Sequence, residues 1–126
     1  MAAKILVVED QPEIRRLIRM TLEFEDYEIS EVSTAFEGIE AVDRLQPDLL
    51  LLDVMTPGSM DGLDLCRHVK RGPAHNGRQP SVILLTARGQ QPDIDTGLAA
   101  GADAYLLKPF SPLQLLDTVK QMLVGA

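Results

Sequence analysis

Four short apolar runs and one alternating run are spaced along the chain: KILVV (4–8), YEISEV (27–32), LLLL (49–52), SVILL (81–85) and AYLL (104–107). Runs this short suit buried or half-buried strands. Between them the apolar residues recur at helical spacing. Ile14, Leu17, Ile18 and Leu22 follow EDQP, with Pro12 placed where a first helical turn tolerates it. Phe36, Ile39, Val42 and Leu45 mark a second helix that QPD ends, and Leu65, Cys66 and Val69 mark a third. GPAHNGRQP (72–80) reads as a loop. Ile94, Leu98 and Ala102 sketch a weaker fourth helix, and Leu115, Val119, Met122 and Leu123 give the last. Regular β–α alternation predicts an α/β domain, a parallel sheet with helices on both faces. The 126 residues suffice for one such domain, 1–126, with a full core.

Composition removes several classes of function. A net charge of −7 argues against direct nucleic-acid binding and against an anionic membrane surface. No apolar run reaches the ~20 residues of a membrane span. MAAKILVVED is too short and too acidic for a signal peptide. The single Cys66 permits no internal disulfide, which fits a reducing cytoplasm. Cytoplasmic localisation is the expectation.

The most apolar run ends on a charge: LLLLD delivers Asp53. Burying a lone carboxylate costs several kcal/mol, on the order of what a whole domain's stability tolerates, so something must compensate it. In open parallel sheets ligands bind beyond the carboxyl ends of the strands. The first strand delivers Glu9 and Asp10 there, the third Asp53, the fourth Thr86 and the fifth Lys108. Three carboxylates on one rim call for a cation, and oxygen ligands describe a Mg²⁺-like site, with Mn²⁺ as the alternative ion. An anion fits between such a metal, the Lys108 ammonium and the Thr86 hydroxyl. A carboxylate can attack phosphorus, and phosphoryl transfer needs positioning and charge neutralisation more than a general base.

ED after the first strand, the LLLLD aspartate, TA after the fourth and KPF after the fifth together resemble the receiver domain of two-component response regulators. The resemblance spans essentially the whole chain. It implies a five-stranded flavodoxin-like receiver fold with strand order 2-1-3-4-5. It makes Asp53 the phosphoacceptor, with Glu9, Asp10, Asp53 and the Met55 backbone carbonyl holding Mg²⁺. It gives Thr86 and Lys108 to the phosphoryl group, Thr86 and Tyr105 to the conformational switch, and Met55 and Arg88 to the lifetime of the phosphorylated state. The Lys108–Pro109 bond is often cis in this family. The implied donor is a histidine kinase or a histidine phosphotransfer protein, and the implied reader a downstream target or output domain. Self-phosphorylation and slow autodephosphorylation are expected, without turnover in the usual enzymatic sense. PGSMDG departs from the family pattern by putting three residues between Pro57 and Asp61, which predicts a bulged loop before the third helix; Thr56 replaces a commonly apolar residue.

Other readings fit less well. A haloacid-dehalogenase-like phosphatase wants an acid two residues after the nucleophile, where Met55 stands. A flavodoxin-like carrier wants a phosphate cradle where VEDQPE would repel one. An interaction module independent of phosphorylation leaves the intact acceptor set without a purpose. Glu9 and Asp10 suit a helix N-terminus as anions, but that does not account for Lys108. Arg15, Arg16 and Arg19 read first as a solvated helix face and second as a docking face for the phosphodonor. His68 and His75 read as surface residues, and Cys66 as a small core residue. The 126 residues leave no room for a DNA-binding or enzymatic output segment after the last helix; a single-domain regulator and a piece of a larger protein are both compatible.

Overall fold

The computed structural model describes residues 2–55, 58, 60–72, 79–87 and 98–124. Five strands, β1 (Lys4–Val8), β2 (Glu28–Val32), β3 (Leu49–Asp53), β4 (Ser81–Ala87) and β5 (Ala104–Lys108), form one sheet of order β2-β1-β3-β4-β5. All four pairings are parallel. Among the described residues the helices are α1 (Pro12–Leu22), α2 (Ala35–Leu45), α3 (Gly62–Arg71) and α4 (Pro112–Val124). The predicted helix around Ile94 lies outside the described residues, apart from helical backbone at Leu98 and Ala99.

The period of two in the strands divides the core. Leu6, Val8, Leu50, Leu52, Val82 and Leu84 pack with residues of α2 and α3 on one side. Ile5, Val7, Leu49, Leu51, Ile83 and Leu85 pack with α1 and α4 on the other. β3 lies centrally and is buried along its whole length. That is why its sequence is a continuous apolar run and not an alternation. No helix among the described residues is long and apolar enough to cross a membrane.

Two helices bury a different face from the one their large apolar residues suggest. Phe36, expected inside, is 74% exposed. α2 buries Ala35, Gly38, Ala41 and Val42 instead. A Cβ on Gly38 would stand 2.6 Å from Leu65 Cδ2 and 3.4 Å from Val8 Cγ2. The helix therefore approaches the sheet along its small residues, which turns Phe36 outward. In α1, Ile18, Thr21 and Leu22 are buried while Leu17 is exposed. α3 follows expectation, burying Leu65, Cys66 and Val69. Burial pushes the Cys66 thiol up to about 11, as befits an inert core residue.

Local signals start the helices. Thr34 accepts the Glu37 N–H at the head of α2, and Asp61 and Asp64 form a reciprocal capping box on α3. Ser111 and Gln114 exchange the equivalent bonds at α4. Gly62 fixes how close α3 comes to β3. A Cβ there would lie 2.2 Å from the Asp53 carbonyl oxygen, a backbone atom with no freedom to swing aside. Gly62→Ala is expected to destabilise the fold by about 1–3 kcal/mol through forced displacement of α3. Chemical denaturation measures this, and an unchanged midpoint would show that α3 is not seated so tightly.

Candidate functional site

Parallel register brings the strand ends to one rim. Val8 pairs with Leu52, Asp53 with Leu85, Thr86 with Leu107, and Ala87 with Lys108. β4 continues two residues past its apolar run, so Thr86 is itself a strand residue, one position beyond the partner of Asp53. The extension follows from β5, which supplies a ladder partner at each step. Glu9, Asp10, Asp53, Thr86 and Lys108, the strand-end residues picked out in the sequence, lie together on this rim.

One carboxylate oxygen from each of Glu9, Asp10 and Asp53 lies within 4.8 Å of the others. Glu9 is fully buried and Asp53 is 4% exposed. Lys108 Nζ reaches both, at 2.8 Å from Glu9 Oε1 and 3.4 Å from Asp53 Oδ1. Asp53 Oδ1 also accepts the Met55 N–H at 3.1 Å, and Glu9 Oε2 accepts the Gln11 N–H at 3.1 Å. Glu9 Oε1 is buried and has the Lys108 ammonium as its partner. Burial pushes the Glu9 carboxyl up to about 7; Lys108 opposes this and the Asp53 charge adds to it.

Among the described residues, the Lys108 ammonium thus pairs with two of three clustered acids. A divalent cation with oxygen ligands fits such a set, because it neutralises the carboxylate charge that Lys108 leaves over. The acidic cluster can therefore hold a metal ion.

The remaining residues singled out in the sequence fall around this centre. Thr86 is buried. Tyr105, paired with Leu84 across β4 and β5, is 41% exposed, and Met55 is 60% exposed at the rim. The Lys108–Pro109 bond is cis. His68 is on the surface as expected. Arg88, His75, Thr56, and Pro57 and Ser59 of the PGSMDG segment lie outside the described residues. The arginines of α1 depart from the solvated-face reading. Arg15 Nη1 donates to the carbonyls of Glu9 (2.7 Å) and Asp10 (3.2 Å), and its Nε lies 3.6 Å from Glu31 Oε1. Arg19 bonds Glu31 and the Ile29 carbonyl. Only Arg16 is exposed as expected. A basic residue one turn into the helix that follows an acidic strand end was the available signal.

Known proteins are similar to this chain in sequence and fold. Residues 5–120 match the response regulator receiver domain family. The chain is 42% identical over 120 residues to the transcriptional regulatory protein ResD of Bacillus subtilis (strain 168), covering 95% of this chain and 48% of that protein. It is 47% identical over 126 residues to the phosphate regulon transcriptional regulatory protein PhoB of Rhizobium meliloti (strain 1021), covering 98% and 53%. The crystal structure of a CheY-like response regulator receiver domain protein from Methanospirillum hungatei JF-1 superposes with a TM-score of 0.86 at 32% identity, covering 99% of this chain and 96% of that one. The chain spans about half the length of the curated relatives it matches. Both are transcriptional regulators, so the exclusion of nucleic acid is corrected. It was drawn from the acidity of this segment alone, and acidity here says nothing of what a protein twice as long contacts elsewhere. Fold, strand-end chemistry and the match over residues 5–120 agree: the chain belongs to the response regulator receiver domain family, the phosphorylation-signalling receivers of two-component systems.

Proposed function

We propose that residues 1–126 form one receiver unit in which Asp53 accepts a phosphoryl group from a histidine kinase or histidine phosphotransfer protein in the cytoplasm. The observation that carries this reading is the placement of Asp53 between an acidic pair and Lys108. Its carboxylate is buried, yet it ends a strand on the rim where a donor can reach it.

Glu9, Asp10, Asp53 and the Met55 carbonyl are the residues to hold Mg²⁺ or Mn²⁺. When bound, the ion neutralises charge on the transferring phosphoryl oxygens. An Asp53 carboxylate oxygen attacks phosphorus while the phosphorus–nitrogen bond of the phosphohistidine breaks. The imidazole nitrogen keeps that electron pair and takes up a proton. Lys108 turns its ammonium from the carboxylates toward the new phosphoryl group, and the Thr86 hydroxyl donates to it. Tyr105 is half-exposed on β5, two residues before the ladder partner of Thr86, and inward rotation of its ring is the readout on the β4–β5 side. Hydrolysis reverses the state: water attacks phosphorus, the acyl phosphate oxygen–phosphorus bond breaks, and Asp53 leaves as carboxylate. The chain is a switch with slow self-dephosphorylation and not a turnover enzyme. An output domain or partner protein reads the switch, and the half-length matches to two transcriptional regulators support an output on DNA.

The test is labelling with acetyl phosphate or a cognate kinase, followed by mass spectrometry of the modified residue. Label on Asp53 that disappears with excess EDTA is expected. Label elsewhere, or undiminished label in EDTA, would overturn the reading; no label with any donor would favour an interaction module independent of phosphorylation.

Lifetime follows from what can orient the attacking water. Met55 is exposed at the rim and offers that water no useful donor or strong acceptor. Arg88 can donate to the phosphoryl group but cannot take a proton from water. Met55→Asn is therefore expected to shorten the phosphorylated state by anchoring water in line. Phosphate release at fixed Mg²⁺ and pH measures it, and an equal or longer lifetime would contradict water positioning at this residue.

A further inference from the structure

We infer that Arg15 is a positioning residue for the acidic pair, holding the Glu9–Asp10 main chain in the shape that presents both carboxylates to a divalent cation. This rests on the cation-binding reading of the rim given above. Three observations carry it.

The first is the contact itself. One guanidinium nitrogen, Nη1, bridges two consecutive carbonyls, those of Glu9 and Asp10, at 2.7 and 3.2 Å. A charged donor on a carbonyl is among the stronger hydrogen bonds, and bridging adjacent carbonyls fixes the peptide between them. The peptide so fixed joins the two acids.

The second is what else holds that segment. The Glu9 N–H still bonds the Val32 carbonyl, and helical bonding resumes at the Gln11 carbonyl, which accepts from Ile14 and Arg15. Between these points the chain turns out of the sheet. Helices α2 and α3 have Thr34 and Asp61 as side-chain caps at the same stage; Gln11 makes no side-chain cap for α1. Asp10 keeps its carboxylate in the acidic group; the Gln11 N–H bonds Glu9 Oε2 within the turn, and Arg15 ties the turn's carbonyls down from the helix side.

The third is charge. A guanidinium beside a cation site would by itself repel the cation. Glu31 on β2 stands 3.6 Å from Arg15 Nε and also pairs with Arg19. The counter-charge offsets much of the repulsion and orients the fork, so that Nε faces β2 while Nη1 faces the acidic turn. Arg15 is accordingly only 23% exposed. Arg16, the next residue of the same turn, is exposed and serves as a control of equal charge.

Residues that orient metal ligands from behind typically change affinity by about 10–100-fold when replaced. The experiment is calorimetric titration of Mg²⁺ into the purified protein and into Arg15→Met, Arg15→Lys and Arg16→Met. Methionine keeps an aliphatic stem and removes every donor; lysine keeps a charge and one donor nitrogen. The expected result is about tenfold weaker Mg²⁺ binding for Arg15→Met, an intermediate loss for Arg15→Lys, and less than a twofold change for Arg16→Met. Amide NMR shifts in EDTA should move most at residues 9–11. Circular dichroism checks the fold, and Arg15→Gln stands in if the methionine variant folds poorly. A parent protein that does not bind Mg²⁺ overturns the reading of the rim, and this inference with it. A parent that binds, with Arg15→Met within twofold of it or tighter, overturns the positioning role alone. So does an Arg16→Met loss as large as that of Arg15→Met, which would mark bulk charge as the cause.

Discussion

Asparagine at position 53 is expected to end phosphoryl uptake and, in the absence of metal, to make the protein more stable. The two outcomes have one origin. Asp53 is 4% exposed beside a fully buried Glu9 and a partly buried Asp10, and Lys108 is the ammonium that reaches Glu9 and Asp53. Asparagine has no carboxylate to attack phosphorus, so labelling at this position stops. It keeps an amide oxygen where Asp53 Oδ1 accepts the Met55 N–H at 3.1 Å, so that bond survives. Its NH₂ group brings a further donor into a group rich in carboxylate acceptors. Against this stands the loss of the 3.4 Å ion pair to Lys108. That pair is the longer of the two Lys108 makes, and the ammonium is then left to Glu9 at 2.8 Å. Relief of repulsion in a buried cluster outweighs it, by about 1–3 kcal/mol. Thermal melts in EDTA at pH 8, where Glu9 is ionised, read this directly as a rise of several degrees. Adding Mg²⁺ should raise the parent by mass action and narrow the difference. A variant that melts lower than the parent in EDTA would mean that Lys108 already balances the cluster.

The chain announces its architecture because a parallel sheet buried on both faces demands long apolar runs, and such runs are hard to mistake. Asp53, Thr86 and Lys108 were legible for the same reason: each interrupts or follows a run that otherwise admits only apolar residues. What the sequence hid depends on how closely helices approach the sheet. Phe36 reads as core by spacing, but Gly38 lets α2 settle on a line of small residues, and the large side chain is turned out. Arg15 was hidden because its bonds go to main-chain carbonyls, which carry no residue signature. The charge state of Glu9 was hidden too. Three acids on a rim suggest repulsion, but only the fold shows that one of them has lost all contact with water.

That burial predicts a pH dependence of stability whose sign is opposite to ordinary acid denaturation. The Glu9 carboxyl is pushed from 4.5 up to about 7, chiefly by burial, with the Asp53 charge adding and Lys108 opposing. Between those two values the folded protein holds a proton that the unfolded chain has released. Stability falls with rising pH wherever the folded state binds more protons. The contribution of Glu9 is therefore complete below about pH 4.5, declines through the interval, and is gone above about pH 7. Other carboxylates titrate in the same range with the usual sign, so the parent alone does not isolate the effect. Glu9→Gln does, because the amide fills the same space and cannot titrate. In EDTA the stability of Glu9→Gln relative to the parent should rise steadily from pH 4.5 to 7.5, measured by denaturant unfolding at each pH. With saturating Mg²⁺ the parent's own dependence should flatten, because a bound cation replaces the proton. Titration of Mg²⁺ at pH 6 in buffers of different ionisation heat should accordingly show proton release from the parent and less from Glu9→Gln. If the stability difference between the two proteins stays constant across the interval, Glu9 is ionised throughout, and its 2.8 Å pairing with Lys108 outweighs the cost of burial.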